Sequence, residues 1–362
     1  MTISFARGAP SLDIVDVAGL RDAAIRAFDT DPAAVTGYGP AAGYPPLREW
    51  IARRHGVEVD RVLVTNGSLQ ADAFLFEQLV RPGDDVVVEL PTYDRTLLSL
   101  RTMGAKVHQV PLDGHGLDVD ELRARLEAGL RPRLAHVIPN FQNPAGVTLS
   151  VDRRRRLIDL AREYGFTIFE DDPYAEIRFR GQPVPSMLSL DDPAGPVVVH
   201  ASSFTKTVCP GVRVGYLVGS SALITEIARR AVNTYISPNM LGEVTVYEFC
   251  RSGDIDRSIA KVRAALSERA TALGQALRER IPGCHFHPPD GGYFLWVDLP
   301  EEIDTDVLAA AAAERGVAVV RGSDFVLDGG RRSLRLAFSA VTTDQIDEGV
   351  RRLASAIDAV RS

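Results

Sequence analysis

The chain has 362 residues, 45% apolar and 25% charged, so it reads as a folded globular protein, long enough that two domains are expected. Its 41 basic and 48 acidic residues leave a net charge of −7, which argues against a nucleic-acid-binding surface, and no run of residues reaches the ~18 apolar positions of a membrane span. Three scattered cysteines (Cys209, Cys250, Cys284) support neither a disulfide framework nor a zinc site, and with no secretory pattern at the start the expected compartment is the cytoplasm.

From Val59 to Val218 short apolar runs alternate with amphipathic stretches. The runs Val62–Thr65, Val86–Leu90, Val107–Val110, Leu134–Ile138, Thr167–Glu170, Val197–Ala201 and Val214–Val218 have the length of buried strands. Between them, 69–79, 92–101, 118–126 and 151–163 read as helices, the last capped by Ser150. The alternation predicts an α/β protein, a mainly parallel sheet with helices on both faces. Before it, Val35–Leu47 is rich in Gly, Pro and Tyr and reads as a long irregular loop. After Ser220 come three helical stretches, near 220–234, 239–252 and 254–280. Strands at Cys284–His287 and Phe294–Val297, a helix near 305–315, strands at Val317–Val320 and Ser333–Phe338, and a last helix after Thr342 follow. This second part reads as a smaller α+β domain. The expected division is an N-terminal arm, 1–35, belonging to the small domain, a large domain, 36–265, and a small C-terminal domain, 266–362.

In such sheets ligands bind at the carboxyl ends of the strands. Val62–Thr65 runs into Asn66-Gly-Ser68 and a helix, a turn suited to a phosphate. Leu134–Ile138 runs into Pro139–Gly146, Thr167–Glu170 into Asp171-Asp-Pro-Tyr174, and Val197–Ala201 into Ser202-Ser-Phe-Thr-Lys206. The chain has only three lysines, Lys106, Lys206 and Lys261, and Lys206 alone follows a buried strand, among small hydroxyls rather than carboxylates. A lysine there is costly to desolvate unless its pKa falls or its amine is used covalently. Ser203 and Arg213 can join the Gly67-Ser68 turn on one phosphate, and Asp171 can pair with a protonated ring nitrogen. A phosphate cradle, an amine and a carboxylate together describe a site for pyridoxal 5′-phosphate. The seven histidines show no metal-ligand spacing beyond His285-x-His287, an alternation that a strand produces by chance, so no metal is expected.

Asn143-Pro-Ala-Gly146, Asp171-x-x-Tyr174, Ser203-x-x-Lys206, Arg213 and Arg335 stand in an order that resembles class I/II aminotransferases of fold type I. The contexts Phe141-Gln-Asn-Pro-Ala-Gly146, Glu170-Asp-Asp-Pro-Tyr174 and Gly211-Val-Arg-Val-Gly215 are most similar to the branch of 2-aminoadipate and kynurenine aminotransferases and MocR effector domains. The resemblance implies that Lys206 forms the internal aldimine and shuttles the substrate's α-proton. Asp171 would hold the pyridine nitrogen protonated, Asn143 and Tyr174 the ring hydroxyl, and Tyr93 would stack on the ring. Gly67, Ser68, Leu69, Ser203 and Arg213 would hold the phosphate. Arg335 would clamp the substrate carboxylate, with Asn143 and Gly8 beside it; Gly8 lies in a Gly8-Ala-Pro10 segment that resembles a substrate-covering one. Tyr38 would reach the phosphate of a neighbouring subunit. The implied protein is a homodimeric aminotransferase with shared active sites, exchanging an amino group between an amino acid and a 2-oxo acid by a ping-pong route. A β-lyase, racemase or biosynthetic synthase or oxidase on the same fold is the second reading. A MocR-type effector module, which requires a DNA-binding segment before Gly8, is the third. Phe141, Leu12 and Ile14 suggest a partly apolar pocket for aromatic or aliphatic side chains.

Overall fold

The computed structural model describes residues 2–361. Its strands are β1 (Ile3–Ser4), β2 (Val62–Thr65), β3 (Asp85–Leu90), β4 (Lys106–Asp113), β5 (Gly116–Leu117), β6 (Leu134–Val137), β7 (Thr167–Asp171), β8 (Val198–Ser203), β9 (Gly215–Val218), β10 (Phe294–Asp298), β11 (Val317–Ala318), β12 (Val320–Arg321) and β13 (Ser333–Ala337). The helices are α1 (Val17–Thr30), α2 (Pro32–Thr36), α3 (Pro45–His55), α4 (Ser68–Leu79), α5 (Asp94–Thr102), α6 (Val119–Glu127), α7 (Val151–Tyr164), α8 (Met187–Leu190), α9 (Ser221–Tyr235), α10 (Met240–Arg251), α11 (Asp254–Arg280), α12 (Thr305–Glu314) and α13 (Thr343–Arg361).

The main sheet has the order β2-β9-β8-β7-β6-β3-β4-β5. Strands β8, β7, β6, β3 and β4 run parallel, β9 is antiparallel to both of its neighbours, and β5 is antiparallel to β4. Strand residues alternate between two apolar clusters. Val62, Val64, Ala135 and Ile168 pack on one face with α3, α6, α7 and α10, while Leu63, Leu134 and Phe169 pack on the other with α4, α5 and α9. Both faces are therefore covered, which is why the strands read as unbroken apolar runs. Side-chain caps fix the helix starts. Ser150 accepts the Arg153 amide, Ser220 the Leu223 amide and Asp118 the Glu121 amide.

The second sheet, β10-β13-β12, is antiparallel, and β1 pairs in parallel with β11. With α12 and α13 these strands close a third apolar cluster around Phe5, Leu295, Leu334 and Leu353. Helix α11 spans the two parts: Ile255 and Ile259 belong to the first cluster, Leu266 and Leu273 to the third.

Three expectations need correction, and one helix was not foreseen. Val35–Leu47 is not one long loop, because α2 ends at Thr36 and α3 starts at Pro45, leaving only 37–44 irregular. Cys284–His287 forms no strand; His285 makes a single bridge to Asp298. Val317–Val320 divides into β11 and β12, which pair with different partners. The sequence also gives little sign of α1, whose inward residues are the small Ala23 and Ala27 while Ile25 and Phe28 face out, so its apolar periodicity misleads.

Candidate active site

Because β2 and β8 are both antiparallel to β9, the carboxyl ends of β2, β6, β7 and β8 lie along one edge of the sheet. A cavity of about 390 Å³ opens there. The residues expected to hold the cofactor and the substrate carboxylate line it, except Gly67 and Tyr38. Gly67 adjoins Ser68 beneath the Arg213 guanidinium, and Tyr38 is 85% exposed, two residues beyond α2.

At the phosphate-suited end, Gly67 sits at φ +90°, and a Cβ there would collide with the Arg213 head. Helix α4 begins at Ser68 with no side-chain cap, leaving its first amides for an anion. Arg213 Nη2 donates to Asn66 O at 3.1 Å, holding the guanidinium over this turn. Ser203 Oγ donates to Thr205 Oγ1 at 2.7 Å, so the hydroxyls of both residues stand beside the lysine.

Lys206 Nζ donates to Gly8 O at 2.9 Å and lies 4.8 Å from the centre of the Tyr293 ring and 5.5 Å from that of Tyr174. Burial, reinforced by the positive charge of Arg335 and opposed by Asp171, lowers its pKa to about 8. Lys106 and Lys261 are both exposed.

The deep end is acidic. Asp171 closes β7, with Oδ2 3.6 Å from His136 Nε2 and Oδ1 buried without a partner. Its neighbour Asp172 is committed elsewhere, accepting from Asn140 Nδ2 at 2.7 Å and from the Ala175 amide at 3.1 Å. Tyr174 is buried beside it, and burial first, then Tyr93 and Asp171, hold its hydroxyl in the protonated form. Tyr93 is pushed up to about 12 by burial and by Asp94, Asp171 and Asp72.

Opposite, Arg335 lies on the central strand β13. Its Nη1 donates to Asn143 Oδ1 at 3.0 Å and its Nη2 to Ala6 O at 2.9 Å, while Nε is buried without a partner. The guanidinium stacks 4.4 Å from the Phe294 ring centre and 4.8 Å from that of Phe325. Asn143 is fixed through Gln142. Gln142 Nε2 donates to Glu89 Oε2 at 2.8 Å and to Pro91 O at 2.9 Å, and its Oε1 accepts the Ala145 amide.

The apolar residues expected to shape the pocket do not line it. Leu12 is 76% exposed beside another cavity, Ile14 is in the core, and Phe141 is buried against Gly291 and Gly292. Ile138 and Phe294 supply the apolar wall instead. Sequence reasoning also missed Asp72, Arg95 and Thr205. Asp72 carried a readable signal, a lone acid in the apolar stretch Ala71–Phe76.

The parts fit pyridoxal phosphate: an amine with a lowered pKa, an unpartnered buried carboxylate oxygen, and an uncapped helix start under a guanidinium. A family model described as aminotransferase class I and II matches residues 2–353. The chain is 34% identical to aromatic-amino-acid aminotransferase 1 of Thermococcus litoralis, over 98% of this chain and 88% of the relative. It superposes on Pyrococcus horikoshii kynurenine aminotransferase, solved in complex with PMP, with a TM-score of 0.94 at 34% identity, covering 99% of this chain and 91% of the other. It also superposes on LysN, the alpha-aminoadipate aminotransferase of Thermus thermophilus complexed with N-(5′-phosphopyridoxyl)-L-leucine. That TM-score is 0.94 at 32% identity, covering 99% of this chain and 93% of the other.

Proposed function

The chain belongs to the class I and II aminotransferases and is a pyridoxal-phosphate-dependent enzyme of fold type I; from that premise we propose that it exchanges an α-amino group between an amino acid and a 2-oxo acid by a ping-pong route centred on Lys206. The observation that carries this reading is the position of Lys206 Nζ, in the same cavity as Asp171 and Arg335 and alone among the three lysines there.

When bound, pyridoxal phosphate supplies an aldehyde carbon that takes up the amine and a ring that withdraws electrons as the substrate's α-proton leaves. Lys206 would be the amine that attaches the cofactor and the base that moves the substrate's α-proton. Its lowered pKa makes the neutral amine available near physiological pH. Asp171 would hold a proton on the ring nitrogen and so keep the ring electron-poor. Tyr174 and Asn143 would hold the ring hydroxyl, and Tyr93 would stack on the ring. Ser68, Leu69, Ser203 and Arg213 hold the phosphate. Arg335, already oriented by Asn143 and Ala6, grips the α-carboxylate as a fork. One cavity, with Arg335 as its carboxylate fork, would serve the amino acid and the 2-oxo acid in turn.

Ile138 and Phe294 favour an apolar or aromatic side chain. Arg95 lines the same cavity, its nearest carboxylate partner being Asp94 at 3.7 Å, and it supplies a cation for a substrate with a distal acid. Relatives named for aromatic amino acids and for aminoadipate support both side-chain types. We place the enzyme in a homodimer in which Tyr38 serves the neighbouring subunit's phosphate site, with 36–265 as the cofactor-binding domain. Exposed apolar residues on α1 (Ile25, Phe28) and around Tyr38, Ile236 and Leu241 support an interface.

Borohydride reduction of the holoenzyme followed by peptide mapping tests the reading. The pyridoxyl label belongs on Lys206; a label on Lys106 or Lys261 would overturn it.

A further inference from the structure

Helix α4 carries more than the phosphate turn. Ser68 and Asp72 are four residues apart and therefore share a face, and both line the cavity. One further turn along, Phe76 sets its ring 6.0 Å from the His136 ring and 5.7 Å from that of Phe169. This face thus runs from the phosphate end, past Asp72, to the histidine that adjoins Asp171. Asp72 is 4% exposed, and its Oδ1 is buried without a hydrogen-bond partner.

The floor of the cavity consequently carries two unpartnered carboxylate oxygens, Asp72 Oδ1 and Asp171 Oδ1, and behind Asp171 lie the two unpartnered ring nitrogens of the buried His136. A pyridine ring brings a single N–H and can satisfy only one of them. Two carboxyl groups sharing a buried site do not both ionise, and the one with fewer stabilising partners keeps its proton. Asp171 has the imidazole at 3.6 Å and the Lys206 ammonium acting on it. Asp72 feels burial and the negative charge of Asp171, both of which push its pKa well above the ordinary carboxylate range. The titratable and charged groups around it are Asp171 from β7, Tyr93, Asp94 and Arg95 at the start of α5, and Tyr174, with Lys206, Arg213 and Arg335 across the same cavity and His136 from β6 behind Asp171.

We propose that Asp72 is a second, protonated carboxyl group on the floor of the cofactor cavity, donating a hydrogen bond, directly or through one water, that holds Asp171 as the single anion facing the ring nitrogen. Asp72 is on this account a positioning residue that acts through Asp171. The inference rests on the cofactor site proposed above.

The test uses apoprotein titrated with pyridoxal phosphate, comparing wild type with Asp72→Asn, Asp72→Leu and Asp171→Asn. Asparagine keeps a neutral donor of the same shape and leucine does not. Loss of a hydrogen bond to a charged group weakens cofactor binding about tenfold in Asp72→Leu, while Asp72→Asn stays within about threefold of wild type. The pH midpoint of the bound cofactor's absorbance moves by about half a unit or more in Asp72→Leu and stays close to wild type in Asp72→Asn. Thermal melts of each apoprotein verify folding, and Asp72→Ala replaces the leucine variant if that one does not fold. Wild-type affinity and midpoint in both the leucine and asparagine variants would show that Asp72 only fills space. A loss in Asp72→Asn as large as that in Asp171→Asn would show that Asp72 acts as an anion. Either result overturns the inference. Failure of wild-type apoprotein to bind pyridoxal phosphate would instead overturn the cofactor site itself.

Discussion

Lys206 has a pKa near 8 because burial and the Arg335 charge oppose its ammonium form. Only the neutral amine can attack the cofactor aldehyde. Cofactor uptake by the apoprotein is therefore slow below pH 7, rises through pH 8 and levels off above it; stopped-flow absorbance would reveal this profile, and a flat one would contradict the assignment. Arg335 presents a planar fork already held by Asn143 and Ala6. Replacing it with Ala costs about 2–4 kcal/mol of transition-state binding, on the order of 30- to 10³-fold in kcat/KM, by a similar factor for every amino acid. Arg335→Lys recovers little, because an ammonium cannot make two parallel bonds. Loss confined to one class of side chain would mean that Arg335 reads the side chain. At this scale the sequence was most legible where scarcity or order narrowed the choice: three lysines, one of them after a buried strand. It was least legible for pocket walls. Leu12, Ile14 and Phe141 are apolar, yet apolarity alone does not distinguish a wall from a core, and all three lie outside the cavity. Arg95 was hidden for a related reason, since one arginine on a helix carries no spacing signal.

The cofactor-facing turns are held by strands at their closest approach. Gly215, the first residue of β9, pairs with Thr65 on one side and Ser203 on the other, and a Cβ on it would stand 2.5 Å from Ser68 N and 2.6 Å from Gly67 C. These are backbone atoms with little room to yield. Gly215→Ala displaces the start of α4 at a cost of about 1–3 kcal/mol in stability. It also weakens pyridoxal phosphate binding, measured by titration alongside the thermal midpoint. Wild-type cofactor affinity in this variant would contradict the role given to the Ser68 turn. Elements of this kind were readable because strands buried on both faces leave unbroken apolar runs and because serine and aspartate caps mark helix starts. Helix α1 was not, since its contacts use alanines. The segment 284–287 alternates like a strand but is tied to the sheet by one bridge only, so periodicity overstated it.

For the whole molecule, the exposed Tyr38 and the exposed Ile25 and Phe28 of α1 are the features on which the proposed homodimer rests. Mixing Tyr38→Phe chains with Lys206→Ala chains examines this. If Tyr38 serves the neighbour, each heterodimer contains one site with both lesions and one with neither, and activity at limiting cofactor exceeds that of either parent. Activity no higher than the better parent, with subunit exchange verified by mass spectrometry, would show that Tyr38 serves its own chain or none. The expectation of pairing between copies came only from the resemblance of the Tyr38 segment, because no local pattern encodes a surface that a separate chain covers. The most direct measurement for the enzyme as a whole is a single half-reaction: holoenzyme with an amino acid and no 2-oxo acid. The expected result is conversion of the bound cofactor to its pyridoxamine form with one equivalent of the matching 2-oxo acid released per site, and restoration on adding a second 2-oxo acid. Catalytic release of ammonia or pyruvate, with no cofactor left in the pyridoxamine form, would contradict it.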